Sequence, residues 1–371
     1  MKIVIATPLY PPEIGGPATY CQLLENKLSL TGAEIAIVKF STVRHLLKIV
    51  RHLKYFTLLY KEARRADLIY ALDPVSVGLP SLLASLLSFK PLVIKIVGDY
   101  AWEQGKQRFA VGDDLDNFSA HWFKYGWAVL VFKIIQTLVA KYSSAVVVPS
   151  QYLAKIVTSW GVNPKKIKVI YNAFDLNINL ANRDALREKY NLNGFVVMTA
   201  GRLVPWKGIK ELVESVIILK NLIPELSLII AGDGPEREAL VSLVRLRGAV
   251  DYIQFTGELL QPDLFAYIKA ADLFVLNSTY EGLSHQLLEV MSLETPIVAT
   301  DVGGNPEIIT TGENGILISP YNSDELQAAI LWLAKSQTES DKLKQEAKIS
   351  LHRFSEKKMI DTLYQHLKTI V

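Results

Sequence analysis

The sequence predicts an α/β protein built from two doubly wound parallel sheets. Three observations carry that prediction. Short apolar runs alternate with amphipathic segments along the whole chain, the pattern of parallel strands joined by right-handed helical crossovers. Many runs are nearly continuous in Val, Ile and Leu, as in "FVVMTAG" at 195–201 and "SAVVVPS" at 144–150. Strands of that kind are buried on both faces. The 371 residues, half of them hydrophobic, favour two cores over one.

Taken in order, the strands of the first half are "KIVIAT" (2–7), "AEIAIVKF" (33–40), "ADLIYAL" (66–72), "PLVIKIV" (91–97), "SAVVVPS" and "IKVIY" (167–171). Those of the second are "FVVMTAG", "LSLIIAG" (226–232), "DYIQFTG" (251–257), "DLFVLNS" (272–278) and "PIVATD" (296–301). Helices lie between them, most clearly at 208–222 and 322–335. The polar, Asn-rich stretch 172–194 reads as a linker. The tail 355–371 reads as an amphipathic helix capped by Ser355. The expected division is 1–175, 176–354 and a terminal helix over 355–371.

Both halves open alike. Strand 2–7 leads into "PLYPPEIGGPATY", and strand 195–200 leads into "GRLVPWKGIKELV". Each is a strand, a Gly-bearing loop and a helix N-terminus, where backbone N–H groups and the helix dipole favour an anion. Neither loop spells G-x-G-x-x-G or a Walker P-loop, so generic dinucleotide and NTPase readings lose ground. Ligands of such sheets bind outside the carboxyl ends of the strands.

Net charge is +3 but uneven. Residues 1–180 hold 21 Lys and Arg against 12 Asp and Glu, giving +9; the remainder holds 19 against 25, giving −6. A basic first half points to an anionic partner, lipid headgroups or a charged substrate, or to ordinary variation between domains. Segments 42–65 and 119–142 are apolar with basic residues interspersed. Each reads either as an interfacial helix on an anionic membrane or as a core helix with a solvated face. No nucleic-acid partner is expected. Cys21 is the single cysteine, which excludes a disulfide framework and fits a reducing, cytoplasmic location. The start is a strand and loop rather than a signal peptide. No stretch of spanning length is free of charge.

Two places carry the chemistry. In "GRLVPWKG" (201–208), Arg202 and Lys207 sit between a buried strand and a helix. Their charges can converge on one anion, with Arg as a bidentate fork and Lys as a compact charge. In "YEGLSHQLLEVMSLETPIVATDVGGNPEII" (280–309), Glu281 and Glu289 read as an acid/base pair, a metal site or two surface charges. The strand ends near Ser278, and Ser284 is a fitting N-cap for a helix burying Leu287, Leu288 and Met291. Glu281 then lies in the loop, and Glu289 about one to two turns below the helix start. That arrangement suits two hydroxyl-bearing rings at the ends of one extended ligand. The amides of Gly282, Leu283 and Ser284 would meet phosphates between them. A bimetal site fits poorly, since no set of Asp and His partners recurs nearby.

This stretch resembles the E-x7-E region of retaining glycosyltransferases of family 4, which have the GT-B fold. "GRLVPWKG", "LIIAGDGPE" (228–236), "FTG" (255–257), "ADLFVLNS" (271–278), "VIYNAFD" (169–175) and "PPEIGGPATY" (11–20) are similar to the same family in the same order. The resemblance covers nearly the whole chain. It implies two Rossmann-like domains facing across a cleft, with the C-terminal helix crossing back onto the first. It implies transfer of a hexose, with retention, from a UDP- or GDP-sugar to an acceptor hydroxyl. A glycan or lipid-linked acceptor in cell-envelope or polysaccharide biosynthesis is expected, at the inner face of the membrane.

By the same resemblance, Arg202 and Lys207 would grip the donor diphosphate, Glu289 the ribose and Glu281 the transferred sugar. Gly15 and Gly16 would let the backbone approach the donor phosphate. The segment from Gly257 would face the base, Gly282, Leu283 and Ser284 the phosphates, and His285 the donor sugar. No metal and no cofactor are expected, because Arg202 and Lys207 do a cation's work. The chain departs from the family at one point. Gly98 stands where many members carry a catalytic-site His, and Asp99 follows it. Asp99 is expected to touch the sugar or the acceptor hydroxyl, or else to be a turn or cap residue. His121 is the other candidate for the missing role. A nucleotide-sugar epimerase of the same fold and a non-catalytic nucleotide-sugar binder are the rival readings.

Overall fold

A computed structural model of the chain describes residues 1–13, 15–174 and 179–371. The chain divides into two units, Met1–Tyr171 with Lys357–Val371, and Asn172–Glu356. The boundary expected after residue 175 falls outside the described residues.

In the first unit, the Val- and Ile-rich runs form β1 (Lys2–Thr7), β2 (Glu34–Lys39), β3 (Leu68–Ala71), β4 (Leu92–Lys95), β5 (Ala145–Val148) and β6 (Ile167–Val169). The helices are α1 (Gly16–Leu28), α2 (Lys48–Ala63), α3 (Gly78–Ser88), α4 (Tyr100–Arg108), α5 (Leu115–His121), α6 (Gly126–Tyr142) and α7 (Gln151–Ser159). The sheet order is β2-β1-β3-β4-β5-β6, all parallel. Residues of β3, β4 and β5 are buried throughout, as their unbroken apolar runs require.

The second unit repeats the plan. It begins with α8 (Arg183–Lys189) and continues through β7 (Phe195–Ala200), α9 (Ile209–Leu219), β8 (Leu226–Ala231), α10 (Arg237–Leu246) and β9 (Ile253–Gly257). It then runs through α11 (Gln261–Ala270), β10 (Leu273–Leu276), α12 (His285–Ser292), β11 (Ile297–Thr300), β12 (Ile316–Ile318), α13 (Ser323–Lys335) and α14 (Gln337–Ser350). Helix α15 (Glu356–Lys368) lies almost wholly in the first unit. The sheet order is β12-β11-β10-β7-β8-β9. Val197, Leu228 and Val275 from the strands meet Leu212 and Val216 of α9 and Ile330 of α13 in one core.

In each sheet the chain reverses direction beside its first strand. β1 lies between β2 and β3, and β7 lies between β8 and β10. Such switch points leave a crevice outside the carboxyl ends of the two diverging strands, where ligands of this sheet class bind.

Three elements differ from expectation. The polar stretch 172–194 holds α8, capped by Asn182, whose side chain accepts from Ala185 N–H at 2.9 Å. Its Arg187 pairs with Asp272 at 2.8 Å, and Leu186 packs on Ala266 and Ala270. The apolar segment 119–142 is broken before Gly126, whose φ of 82° is left-handed and costs a glycine little. The short strand β12 was too brief to register as an apolar run. No helix among the described residues is long and apolar enough to cross a membrane.

Candidate active site

The site residues of the second unit gather at its switch point. Arg202 follows the end of β7 and is exposed, while Leu203 and Val204 beside it are buried and anchor the loop. A short 3-10 turn, Pro205–Lys207, ends at Gly208 with φ 61°. A Cβ on Gly208 would stand 2.1 Å from the carbonyl oxygen of Asn277, just past β10. Only glycine permits that approach. Asn277 in turn donates to the Gly208 carbonyl at 2.9 Å, and Thr279 N–H donates to the Trp206 carbonyl at 2.7 Å. The loops after β7 and β10 are therefore knitted by one backbone hydrogen bond and one from the Asn277 side-chain amide.

That knitting places Lys207 beside Glu281, with Nζ 2.6 Å from Oε1. Both side chains are mostly buried, at 19% and 13% exposure. A third loop supports them. A Cβ on Gly303 would lie 1.7 Å from the Glu281 carbonyl oxygen, and one on Gly304 2.4 Å from that of Gly282. Gly304 N–H donates to the Glu281 carbonyl at 3.1 Å. Asn305, fully buried, donates to the Thr300 carbonyl at 3.0 Å and ties this loop to the end of β11. Sequence reasoning assigned nothing to "VGGN" at 302–305. Its signal was available: paired glycines directly after a buried strand mark a close backbone approach.

Ser284 caps α12, its hydroxyl accepting from Leu287 N–H at 3.4 Å. His285 opens the helix, and Leu287, Leu288, Val290 and Met291 are buried. Glu289 lies on the same helix and is half-buried. Burial pushes its carboxyl up to about 7, because desolvation disfavours the charged form. Unlike Glu281, it has no counter-charge among the described residues. Gly257 ends β9 with φ 72°, and its carbonyl accepts from Gly232 N–H at 2.8 Å.

The remaining candidates lie in the first unit. Gly15 is the N-cap of α1, at φ 149°. A Cβ on Gly16 would meet, beyond its chain neighbours and its own helix, no atom of the described residues within 4 Å. Asp99 corrects an expectation. It is fully buried, and its Oδ1 accepts from Trp102 N–H at 3.1 Å and from Gln136 at 2.9 Å. Its Oδ2 pairs with Lys133 at 2.7 Å. Asp99 is the N-cap of α4 and half of a buried ion pair, not a group facing a substrate. His121 is exposed, its Nδ1 3.2 Å from the Asn117 carbonyl. Lys95, which sequence reasoning passed over, ends β4 buried above the Tyr20 ring at 3.6 Å. Burial pushes its ammonium down to about 7. Asp114 and Asp116 form an Asp-x-Asp, but Asp114 is engaged with the Asn117 N–H at 2.8 Å.

Comparison with known proteins decides the family. The profile of glycosyltransferase family 4 matches residues 3–178, and that of glycosyl transferases group 1 matches 182–350. The chain belongs to this glycosyltransferase family. Among curated relatives, it is 34% identical over 151 residues to the alpha-D-kanosaminyltransferase of Streptomyces kanamyceticus, covering 40% of this chain and 39% of that one. It is 34% identical over 180 residues to the putative glycosyltransferase EpsD of Bacillus subtilis, covering 48% and 47%. The chain thus spans about half the length of the curated relatives it matches. Its fold is that of Anabaena HepE, solved in complex with UDP and glucose, with a TM-score of 0.80 over 100% of both chains at 22% identity. The fold is GT-B.

Proposed function

We propose that this family member transfers a hexose from a UDP- or GDP-sugar to an acceptor hydroxyl with retention of configuration. The observation that carries the reading is the placement of Lys207, Glu281 and Glu289 about the start of α12, at the switch point of the second sheet. Glu289, half-buried without a counter-charge, is suited to accept hydrogen bonds from the two ribose hydroxyls. Lys207 and Arg202 bind the diphosphate, and the amides of Gly282, Leu283 and Ser284 face it at the helix start. Before the donor arrives, Lys207 is neutralised by Glu281. A diphosphate draws Lys207 away and frees Glu281 to hold hydroxyls of the sugar. HepE's complex with UDP and glucose supports UDP as the carrier.

In the transfer, the bond between the anomeric carbon and the β-phosphate oxygen breaks, and its electron pair goes to that oxygen. The acceptor hydroxyl attacks the same face and gives its proton to the leaving phosphate. Arg202 and Lys207 stabilise the charge that develops there, so the proposal needs no metal. Preorganised donors of this kind are worth about 3 kcal/mol each in the transition state. The basic first half, +9 over residues 1–180, supports a lipid-linked or otherwise anionic acceptor.

A thermal-shift screen of UDP-, GDP- and ADP-sugars identifies the donor. At ligand 100 times its dissociation constant, binding stabilises the fold by about 2.7 kcal/mol. Product analysis by NMR then shows an α-configured product from an α-configured donor. Inversion, or epimerised nucleotide sugar from donor alone, overturns the proposal.

A further inference from the structure

In the first unit the strand order steps the same way from β2 through β3, β4 and β5. Right-handed crossovers therefore put α2, α3 and α6 on one face of that sheet, where α3 packs against both α2 and α6. The outer side of this layer is unusually apolar. Along α6, Trp127 (79% exposed), Val131, Ile134, Leu138 and Tyr142 are all exposed. Their spacing of three and four residues makes one stripe down the helix. On α3, Leu83, Leu86 and Leu87 are exposed, with Phe89 beyond its end at 93%. Neither α3 nor α6 contains an Asp or Glu. Lys124 and Lys141, one at each end of the stripe, are exposed.

A pocket of about 290 Å³ adjoins this stripe, lined by Ser119, Lys133, Ile134, Leu138, Lys141 and Trp160 among others. Ile134 and Leu138 belong to both. Trp160 is 6% exposed, and among the described residues its indole N–H finds no acceptor and the buried Ser119 hydroxyl finds no partner. Lys133 Nζ, 4.6 Å from the centre of the Trp160 ring, is already neutralised by Asp99. Lys141 is the pocket's other cation. Buried polar groups are normally hydrogen-bonded, so two unused donors in one pocket lack an acceptor. An acceptor-rich, anionic group attached to an apolar body would meet these donors, Lys141 and the stripe together.

We propose that α6 and the pocket beside it seat an anionic phospholipid of a bilayer surface. The phosphodiester headgroup accepts from Trp160, Ser119 and Lys141, while the acyl region lies along Trp127, Val131, Ile134 and Leu138. Trp and Tyr at the two ends of such a stripe sit well at the depth of the headgroups. A free phosphate would satisfy the donors but leave the stripe in water. This inference does not rest on the transfer reading and survives if the chain proves inactive.

Flotation of the full chain tests it, with vesicles of phosphatidylcholine alone and of phosphatidylcholine with phosphatidylglycerol. The chain floats with the anionic vesicles, and Lys141→Glu weakens that binding about thirtyfold, a change of two charges near an anionic surface. The double variant Ile134→Asp, Leu138→Asp, at exposed positions, abolishes it with an unchanged melting temperature. Trp160→Phe keeps the ring and removes the donor, so it lowers the preference for anionic over neutral vesicles. Donor binding by thermal shift stays intact in all of these variants. Equal binding to both vesicles, or to neither, overturns the proposal. So does release by millimolar glycerol phosphate, which would make the pocket a free-phosphate site. Loss of a concentration-dependent dimer in the double variant would give the face to a second copy of the chain instead.

Discussion

Lys133–Asp99 in the first unit and Lys207–Glu281 in the second are nearly the same pair by distance, 2.7 and 2.6 Å. Each carboxylate follows a buried parallel strand and precedes or caps a helix. They differ in their surroundings. Asp99 is completely buried, and its oxygens take a backbone N–H, an amide and an ammonium. It has no capacity to spare. Glu281 stands in a loop between Lys207 and the start of α12, with its backbone clamped by Gly303 and Gly304. A saturated carboxylate holds a helix in place. One held by a single ammonium at a loop mouth can exchange that partner for a ligand.

The largest effect that would break this comparison is on stability. Asp99→Ala strands a buried lysine and removes a cap, and it is expected to cost about 3–5 kcal/mol. Chemical denaturation checks it, and a loss under 1 kcal/mol would make the first pair as replaceable as a surface one. Lys207→Ala is next, and its effect lies in turnover. Removing one preorganised donor to a leaving group costs about 100-fold in kcat, while the melting temperature moves little. A large loss of stability with normal turnover would turn the second pair into another structural one. The smallest effect is on pH dependence. Because the folded Glu289 carboxyl is raised to about 7 above its ordinary value, its ionisation opposes folding as pH rises through that value. Glu289→Gln therefore raises the melting temperature by a few degrees at pH 8, with the gain vanishing near pH 5. A gain at both pH values would point to packing rather than charge.

The difference between the pairs was only partly legible in the chain. Most strands were, because a parallel strand buried on both faces must be an apolar run. The placement of Glu281 in a loop and Glu289 on a helix was legible too, from Ser284 and the spacing of Leu287, Leu288 and Met291. Asp99 was ambiguous for a physical reason: an Asp after a strand serves equally as an N-cap and as a ligand. What decided it was Lys133, 34 residues away, a pairing no local pattern encodes. The helix α8 was hidden in an Asn-rich stretch because its stability comes from Arg187 reaching Asp272, 85 residues on. The lone, half-buried state of Glu289 needed the packed fold, since burial is not a property of a residue's neighbours in sequence.

The central claim is that Glu289 binds the nucleoside end of the donor and Glu281 the sugar end. Isothermal titration of the free nucleoside diphosphate, alongside turnover, separates them most directly. Glu289→Ala is predicted to weaken nucleotide binding about tenfold or more, the loss of hydrogen bonds to a charged group. Glu281→Ala is predicted to leave that binding nearly unchanged while transfer falls. Small and equal effects of both substitutions on binding and on transfer would contradict the account and return the two carboxylates to the surface.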